Sequence, residues 1–316
     1  MTRQSQPRLC IGLPVYNGQN YLAAAIESLL GQTFSDFRLI VSDNGSTDGT
    51  EDICRSFARR DHRLDYHQSP DNRGMAWNFN RVAALANSEY FKWAAYDDLH
   101  APRFLERCIA VLDADPQVLL CYSTAKVIDE HGALAFWYRE PADATSPIPA
   151  TRFTETVRNW GCGIMLFGVL RLAVLRQTQL HGAYPGSDMV LAAELALRGE
   201  LRQLDEPLFF WRNHPHRPTR VCKSDAELAG WFAPENAGRA QFRHLKLFAS
   251  YLRTIARVPL PMDQKLRCAG VMAHWFAVKL PTIQDEVRGN IARRVRRALA
   301  RYSSPSRRPG SPSRAA

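Results

Sequence analysis

The sequence predicts an α/β protein with a mainly parallel central sheet and helices on both faces. Four strand–loop–helix units follow one another within about the first hundred residues, the pattern of a parallel sheet. An apolar, aromatic run from Tyr90 to Tyr96 then ends abruptly in two adjacent carboxylates, Asp97 and Asp98. Read as a buried strand, it sets both at a carboxyl end, and ligands of open α/β sheets bind in the crevice outside such ends.

The first unit is the apolar stretch RLCIGL at residues 8–13, stopped by Pro14, then helical spacing through Leu22, Ile26, Leu29 and Leu30. The second is Phe37 to Val41, the loop SDNGSTDG, and a helix from Thr50 to Ala58 with Ile53 and Phe57 on one face and Thr47 or Asp48 as its cap. Leu64 to His67 is a weaker, edge-like strand, followed by the turn-rich SPDNRG and a helix from Met75 to Ala86. After the aromatic strand, Pro102 suits the first turn of a helix carrying Phe104, Leu105, Cys108, Ile109 and Leu112.

Val118 to Tyr122 and Lys126 to Ile128 read as two further strands, and Ala133 to Pro149, rich in Pro and Ala, as a long loop. Residues 163–170 are a buried apolar run, Met189 to Leu197 is a helix ended by Gly199, and Leu208 to Trp211 is a short strand. Beyond Ser224 the pattern is helical, through Leu245, Phe248, Leu252 and Ile255 and again from Cys268 to Leu280. The expected organisation is one α/β domain at 6–223, a helical extension at 224–301 and a disordered basic tail at 302–316.

Composition narrows the function classes. With 316 residues, 46% of them hydrophobic, the chain can bury a full core. No apolar run approaches the ~18 residues of a membrane span, and the N-terminus lacks the apolar centre of a signal peptide. A cytoplasmic protein is therefore expected. The seven cysteines are scattered and form no CxxC pair, which argues against zinc or disulfide use. The net charge of +10 belongs to the end of the chain: residues 288–316 hold nine Arg and no acidic residue, leaving +1 for residues 1–287. The folded body thus offers no electrostatic case for specific nucleic-acid binding.

The chemistry sits in loops. PVYNG at 14–18, SDNGSTDGT at 42–50 and PDNRG at 70–74 all follow early strands and open on the same side of the sheet as Asp97 and Asp98. One Asp- and Gly-rich turn means little, because these residues favour turns anyway. Four loops converging on one sheet edge make a site.

In order and spacing, Arg8 to Asp98 resembles the family 2 glycosyltransferases, inverting enzymes whose nucleotide-binding domain has the GT-A fold. The likeness continues more loosely to about Pro218 and is absent after about Ser224. It implies that Pro14, Tyr16 and Asp43 hold the nucleotide base, Asp43 by accepting the imide N–H of uracil and Tyr16 by stacking. Asn72 and Gly74 match the turn after the third strand. Asp98 matches a metal-binding carboxylate and Asp97 a ligand of metal or ribose, with Mg2+ or Mn2+ as the cofactor. The family pattern has an earlier Asp two places before the pair, where this chain has Ala95.

The resemblance also points to Asp188, in GSDMVLAAELALRG, as the base that deprotonates the acceptor hydroxyl. At that position an Asp equally suits a helix cap. Arg212 and His214, in RNHPHRPTR, match a recurring basic motif and are expected at the pyrophosphate; His216 and Arg217 read as solvated neighbours.

The implied function is transfer of a sugar from a nucleotide-sugar donor, UDP-linked, to a glycan or lipid-linked acceptor, as in cell-surface polysaccharide assembly. A sugar-phosphate nucleotidyltransferase would call for basic residues in the glycine-rich loop after the first strand, and PVYNGQN has no Lys or Arg. A methyltransferase would carry its glycine-rich loop there and its acidic residue after the second strand. A non-catalytic sugar-nucleotide binder is the remaining alternative, kept open by Ala95. Finally, Arg288 to Arg301 places Ile291, Val295 and Leu299 at four-residue spacing among arginines, a stripe that can lie on an anionic membrane surface at the cytoplasmic face.

Overall fold

The computed structural model describes residues 6–142, 144–222, 224–239 and 242–303, with backbone alone at 218, 219, 293, 294 and 296–303. Its strands are β1 (Leu9–Val15), β2 (Phe37–Asp43), β3 (Leu64–Gln68), β4 (Tyr90–Trp93), β5 (Leu99–His100), β6 (Val118–Ile128), β7 (Leu134–Tyr138), β8 (Val169–Arg171) and β9 (Glu200–Arg212). They join into one sheet of order β3-β2-β1-β4-β8-β6-β9-β5, with β7 added on β6. β1 to β4, β6 and β9 point one way, and the short β5, β7 and β8 run against them. The carboxyl ends of β1, β2, β3, β4, β6 and β9 therefore meet at one edge.

The helices are α1 (Leu22–Leu30), α2 (Thr50–Arg60), α3 (Met75–Leu85), α4 (Phe104–Ala114), α5 (Pro149–Arg158), α6 (Leu172–Leu175), α7 (Ser187–Arg198), α8 (Pro218–Val221), α9 (Asp225–Phe232), α10 (Arg243–Arg257) and α11 (Met262–Ser303). The main core lies between the sheet and its helices. All seven residues of β1 and all four of β4 are buried, as expected of strands covered on both faces. A second core joins α5 and α7 to α10 and α11 through Phe153, Val190, Leu247, Tyr251 and Met272.

Five expectations need correcting. The two strands expected at 118–128 are one, because Thr124 Oγ1 donates to the Asp205 carbonyl at 3.0 Å and so keeps the polar Ser123–Thr124 step inside the ladder. The long loop contains β7, an edge strand whose apolar side chains are mostly exposed, so it lacks the alternation that marks a half-buried strand. The expected short strand at 208–211 is the end of β9, a 13-residue strand. The helix expected at Cys268 to Leu280 and the basic one after it are a single helix of 42 residues that runs through Pro281. At α2, the capping position is Gly49, while Asp48 Oδ1 accepts from Thr50 N two residues on, at 3.1 Å. Of the expected disordered tail, residues 304–316 lie outside the described residues, as does the Leu299 side chain.

Candidate active site

The first two loops interlock at the carboxyl edge. Asn17, held at φ 52°, accepts from Thr47 N through Oδ1 at 2.9 Å, while Asn17 N donates to Ser46 Oγ at 2.9 Å. Asn44 continues the lacing to the third loop: Nδ2 donates to Asn72 Oδ1 at 2.9 Å, and Oδ1 accepts from Arg73 N at 3.0 Å. Gly74, at φ 86°, takes a conformation that disfavours side chains and starts α3.

Together these loops form one wall of a cavity of about 210 Å3, whose lining includes Pro14, Tyr16, Asn44, Asn72, Ala95 and Asp97. Phe167, Arg217 and Trp231 enclose it from other parts of the chain. A wider depression of about 940 Å3 lies at the opposite end of the sheet, around Arg38, Asp61, Arg63 and Asp65. Its principal charges already pair with one another, Arg38 with Asp65 and Arg63 with Asp61, so its chemistry is largely spent on the fold.

Asp97 and Asp98 follow β4 by a short irregular segment and are both buried. His214 Nε2 lies 2.9 Å from Asp97 Oδ2. Asp98 Oδ1 accepts from the backbone N–H of Arg212 at 2.8 Å. Burial, and then the charge of Asp97, raise the Asp98 carboxyl well above the usual carboxylate range. Among the described residues no three His, Cys, Asp and Glu side chains gather as a complete metal cage. Asp97 lines the cavity and Asp98 does not, yet two adjacent carboxylates at a buried edge fit a hard divalent cation of the kind that takes its other ligands from phosphate oxygens and water.

The remaining expected residues are placed unevenly. Pro14, Tyr16, Asn72 and Asp97 reach the cavity wall. Asp43 is fully buried, with Oδ1 accepting from Ser46 N at 2.9 Å and Oδ2 from the Tyr66 hydroxyl at 2.7 Å. In this arrangement it braces the loop from beneath instead of presenting a free oxygen to a base.

Arg212, expected at the pyrophosphate, is buried. Its Nε donates to the Asp97 carbonyl at 2.9 Å and NH1 to the carbonyls of Asp129 and Glu130 at 3.2 Å, with the guanidinium 4.9 Å from the Tyr21 ring centre. It holds the acidic turn against two neighbouring strand ends. Arg217, read from sequence as solvated, is the arginine that lines the cavity. Asp188 stands half-buried in the first turn of α7, near Tyr184, Tyr251 and Arg243, and is not among the cavity-lining residues. Desolvation raises its carboxyl above the ordinary value of 3.8, and among the described residues it forms no ion pair.

Lys92 gave no signal in an apolar strand segment, yet it is completely buried in β4. Its Nζ donates to the Trp93 carbonyl at 3.1 Å and to the Phe167 carbonyl, tying the cavity's Phe167 to the strand that carries the carboxylates. Burial lowers its ammonium to about 7. Trp231 also escaped notice, because it lies past the stretch where the family likeness stops.

A mainly parallel sheet whose carboxyl edge carries interlocked loops and a buried carboxylate pair has the architecture of a ligand-binding α/β fold. The model for glycosyl transferase family 2 matches residues 10–175, and the chain belongs to that family. A Rickettsia felis protein described as an uncharacterized glycosyltransferase is 32% identical over 145 residues, covering 45% of this chain and 23% of the relative. Bacillus subtilis EpsE, a putative glycosyltransferase, is 32% identical over 129 residues, covering 40% of this chain and 46% of EpsE. The aligned region thus spans less than half the length of these curated relatives.

Among solved structures, S. aureus TarS 1–349 in complex with UDP superposes with a TM-score of 0.61 at 17% identity, covering 85% of this chain and 72% of that one. Its complex with UDP-GlcNAc gives 0.64 at 16% identity, over 85% and 73%. This likeness establishes the GT-A fold with its C-terminal helices.

Proposed function

We propose that the protein transfers a sugar from a UDP-linked donor to a hydroxyl of a glycan or lipid-linked acceptor, with inversion at the anomeric carbon. The observation that carries this reading is the meeting of Pro14, Tyr16, Asn72 and Asp97, from two different loops and a strand end, on one cavity. The choice of uridine draws on family membership and on the UDP complexes of TarS.

In this reading Tyr16 offers its ring face to the base, and Asn72 a side-chain amide. Asp97 and Asp98 hold Mg2+ or Mn2+, which when bound supplies positive charge against the diphosphate oxygens. His214 orients Asp97, and Arg212 fixes the turn that carries both carboxylates. Arg217 adds a fixed cation on the cavity wall, where charge develops on the leaving diphosphate. Asp188 accepts the proton of the attacking hydroxyl, its basicity raised by desolvation.

No helix of the described residues is long and apolar enough to cross a membrane. The basic end of α11 exposes Ile291 and Val295, and we assign residues 288–301 to an anionic membrane surface. Deleting 288–316 then abolishes cosedimentation with anionic vesicles, and undiminished cosedimentation rejects the assignment.

The function is tested by screening nucleotide-sugars for manganese-dependent binding and slow donor hydrolysis. UDP-sugars are expected to bind and hydrolyse. Binding of no donor at all rejects the reading.

A further inference from the structure

We propose that Trp231 contacts the nucleoside part of the donor, so that α9, a helix beyond the expected boundary at residue 223, completes the donor site. The inference rests on the reading of the cavity as a nucleotide-sugar site.

Gly230 and Trp231 line the same cavity as Asn72 and as Pro14 and Tyr16, the residues expected at the base. The closing end of α9 sits directly on Gly74. A Cβ built there would lie 2.5 Å from the Phe232 carbonyl oxygen and 2.8 Å from Ala233 Cα. Only glycine admits so close an approach, so the third loop and α9 are fitted to each other backbone to backbone.

α9 is also anchored at both ends. Ser224 caps it, its hydroxyl accepting from Glu227 N at 3.2 Å. Ala229, Phe232 and Ala233 are buried, and just beyond the helix Asn236 Nδ2 donates to the Ala183 carbonyl at 2.8 Å. The element is packed into the body on two sides.

Against that background Trp231 stands out. Its sequence neighbour Phe232 is 5% exposed, whereas the Trp231 side of the helix faces the cavity and leaves the residue 38% exposed, the same value as Tyr16. A large ring left bare on a concave wall, within a helix whose Ala229 and Phe232 are buried, is available for stacking or edge contact with a flat ligand. Phe79, Tyr96 and Phe167 line the cavity too, and all three are less exposed than Tyr16 and Trp231. Trp231 lies outside residues 10–175, the region matched by the family model.

The test is titration of the full chain with UDP in the presence of Mn2+, by calorimetry and by tryptophan emission. Trp231→Ala is expected to bind UDP roughly tenfold more weakly, and Trp231→Phe to stay within about threefold of wild type. If Trp231→Ala fails to fold, emission decides: Trp231→Phe, still binding, should lose most of the UDP-induced change seen in wild type. Unchanged affinity in a folded Trp231→Ala, or a full emission change in Trp231→Phe, overturns the proposal while leaving the donor site standing. A wild-type chain that binds no nucleoside diphosphate removes the parent reading and this one with it.

Discussion

His214 Nε2 lies 2.9 Å from Asp97 Oδ2, joining two residues 117 positions apart at the carboxyl edge of the sheet. The imidazole is 1% exposed, its ring centre 4.7 Å from that of Tyr21, and its Nδ1 has no partner among the described residues. A carboxylate so restrained offers its other oxygen in a fixed direction. Removing such a supporting partner typically costs 10–100-fold in metal affinity. His214→Ala should therefore weaken manganese-dependent UDP binding by about that factor in calorimetric titration, and equal affinity in the variant would remove His214 from the site.

Asp188 separates a catalytic base from a first-turn carboxylate of α7. If it deprotonates the acceptor, Asp188→Asn lowers kcat by about 10²–10⁴-fold and leaves donor KM nearly unchanged. Burial raises its carboxyl, so the base form is lost at a higher pH than for an ordinary carboxylate, and the acid limb of kcat/KM should lie above 3.8. Full transfer by Asp188→Asn to a working acceptor would leave the residue a first-turn carboxylate of α7, whose capping position is Gly186 and not the expected Asp188.

Lys92 predicts a pH dependence of stability. Its folded pKa, about 7, lies below the ordinary 10.5, so between those values the unfolded chain binds the extra proton. Stability from this group therefore rises with pH across that window, by up to ~1.4 kcal/mol per unit, and is flat below it. Urea unfolding at pH 7 and pH 9 should show wild type gaining relative to Lys92→Met. A constant difference between the two proteins would mean that Lys92 stays charged in the fold.

The sequence made legible those parts of the site built from local pattern. Pro14, Tyr16, Asn72 and Asp97 each close a recognisable strand–loop unit, and the sheet brings those ends together without further information. What depended on distant partners was misread or missed. Arg212 looked like a phosphate ligand, because nothing local reveals that its donors meet the carbonyls of Asp97, Asp129 and Glu130. Arg217, five residues on, had the same composition and the opposite fate. β7 was hidden because an exposed edge strand obeys no burial pattern, and Lys92 because a lysine satisfied by two carbonyls leaves no trace in an apolar run.

The extension should matter to the whole fold. Leu247 on α10 is 2% exposed within the second core, and its side chain lies 3.0 Å from where a Cβ on Gly186 would stand. Leu247→Ala should cost about 2–5 kcal/mol in urea unfolding, against a change within about 0.5 kcal/mol for Leu266→Ala on the exposed face of α11. Equal stability of the two variants would show that α10 does not share the body's cooperative unfolding.

If Asp98 belongs to a cation and diphosphate site, manganese-dependent UDP binding and slow donor hydrolysis will separate wild type from Asp98→Ala. Wild type should bind UDP more tightly with manganese than without it and hydrolyse the donor, while Asp98→Ala loses both the manganese dependence and the turnover. An Asp98→Ala protein that binds and turns over donor like wild type would contradict the account.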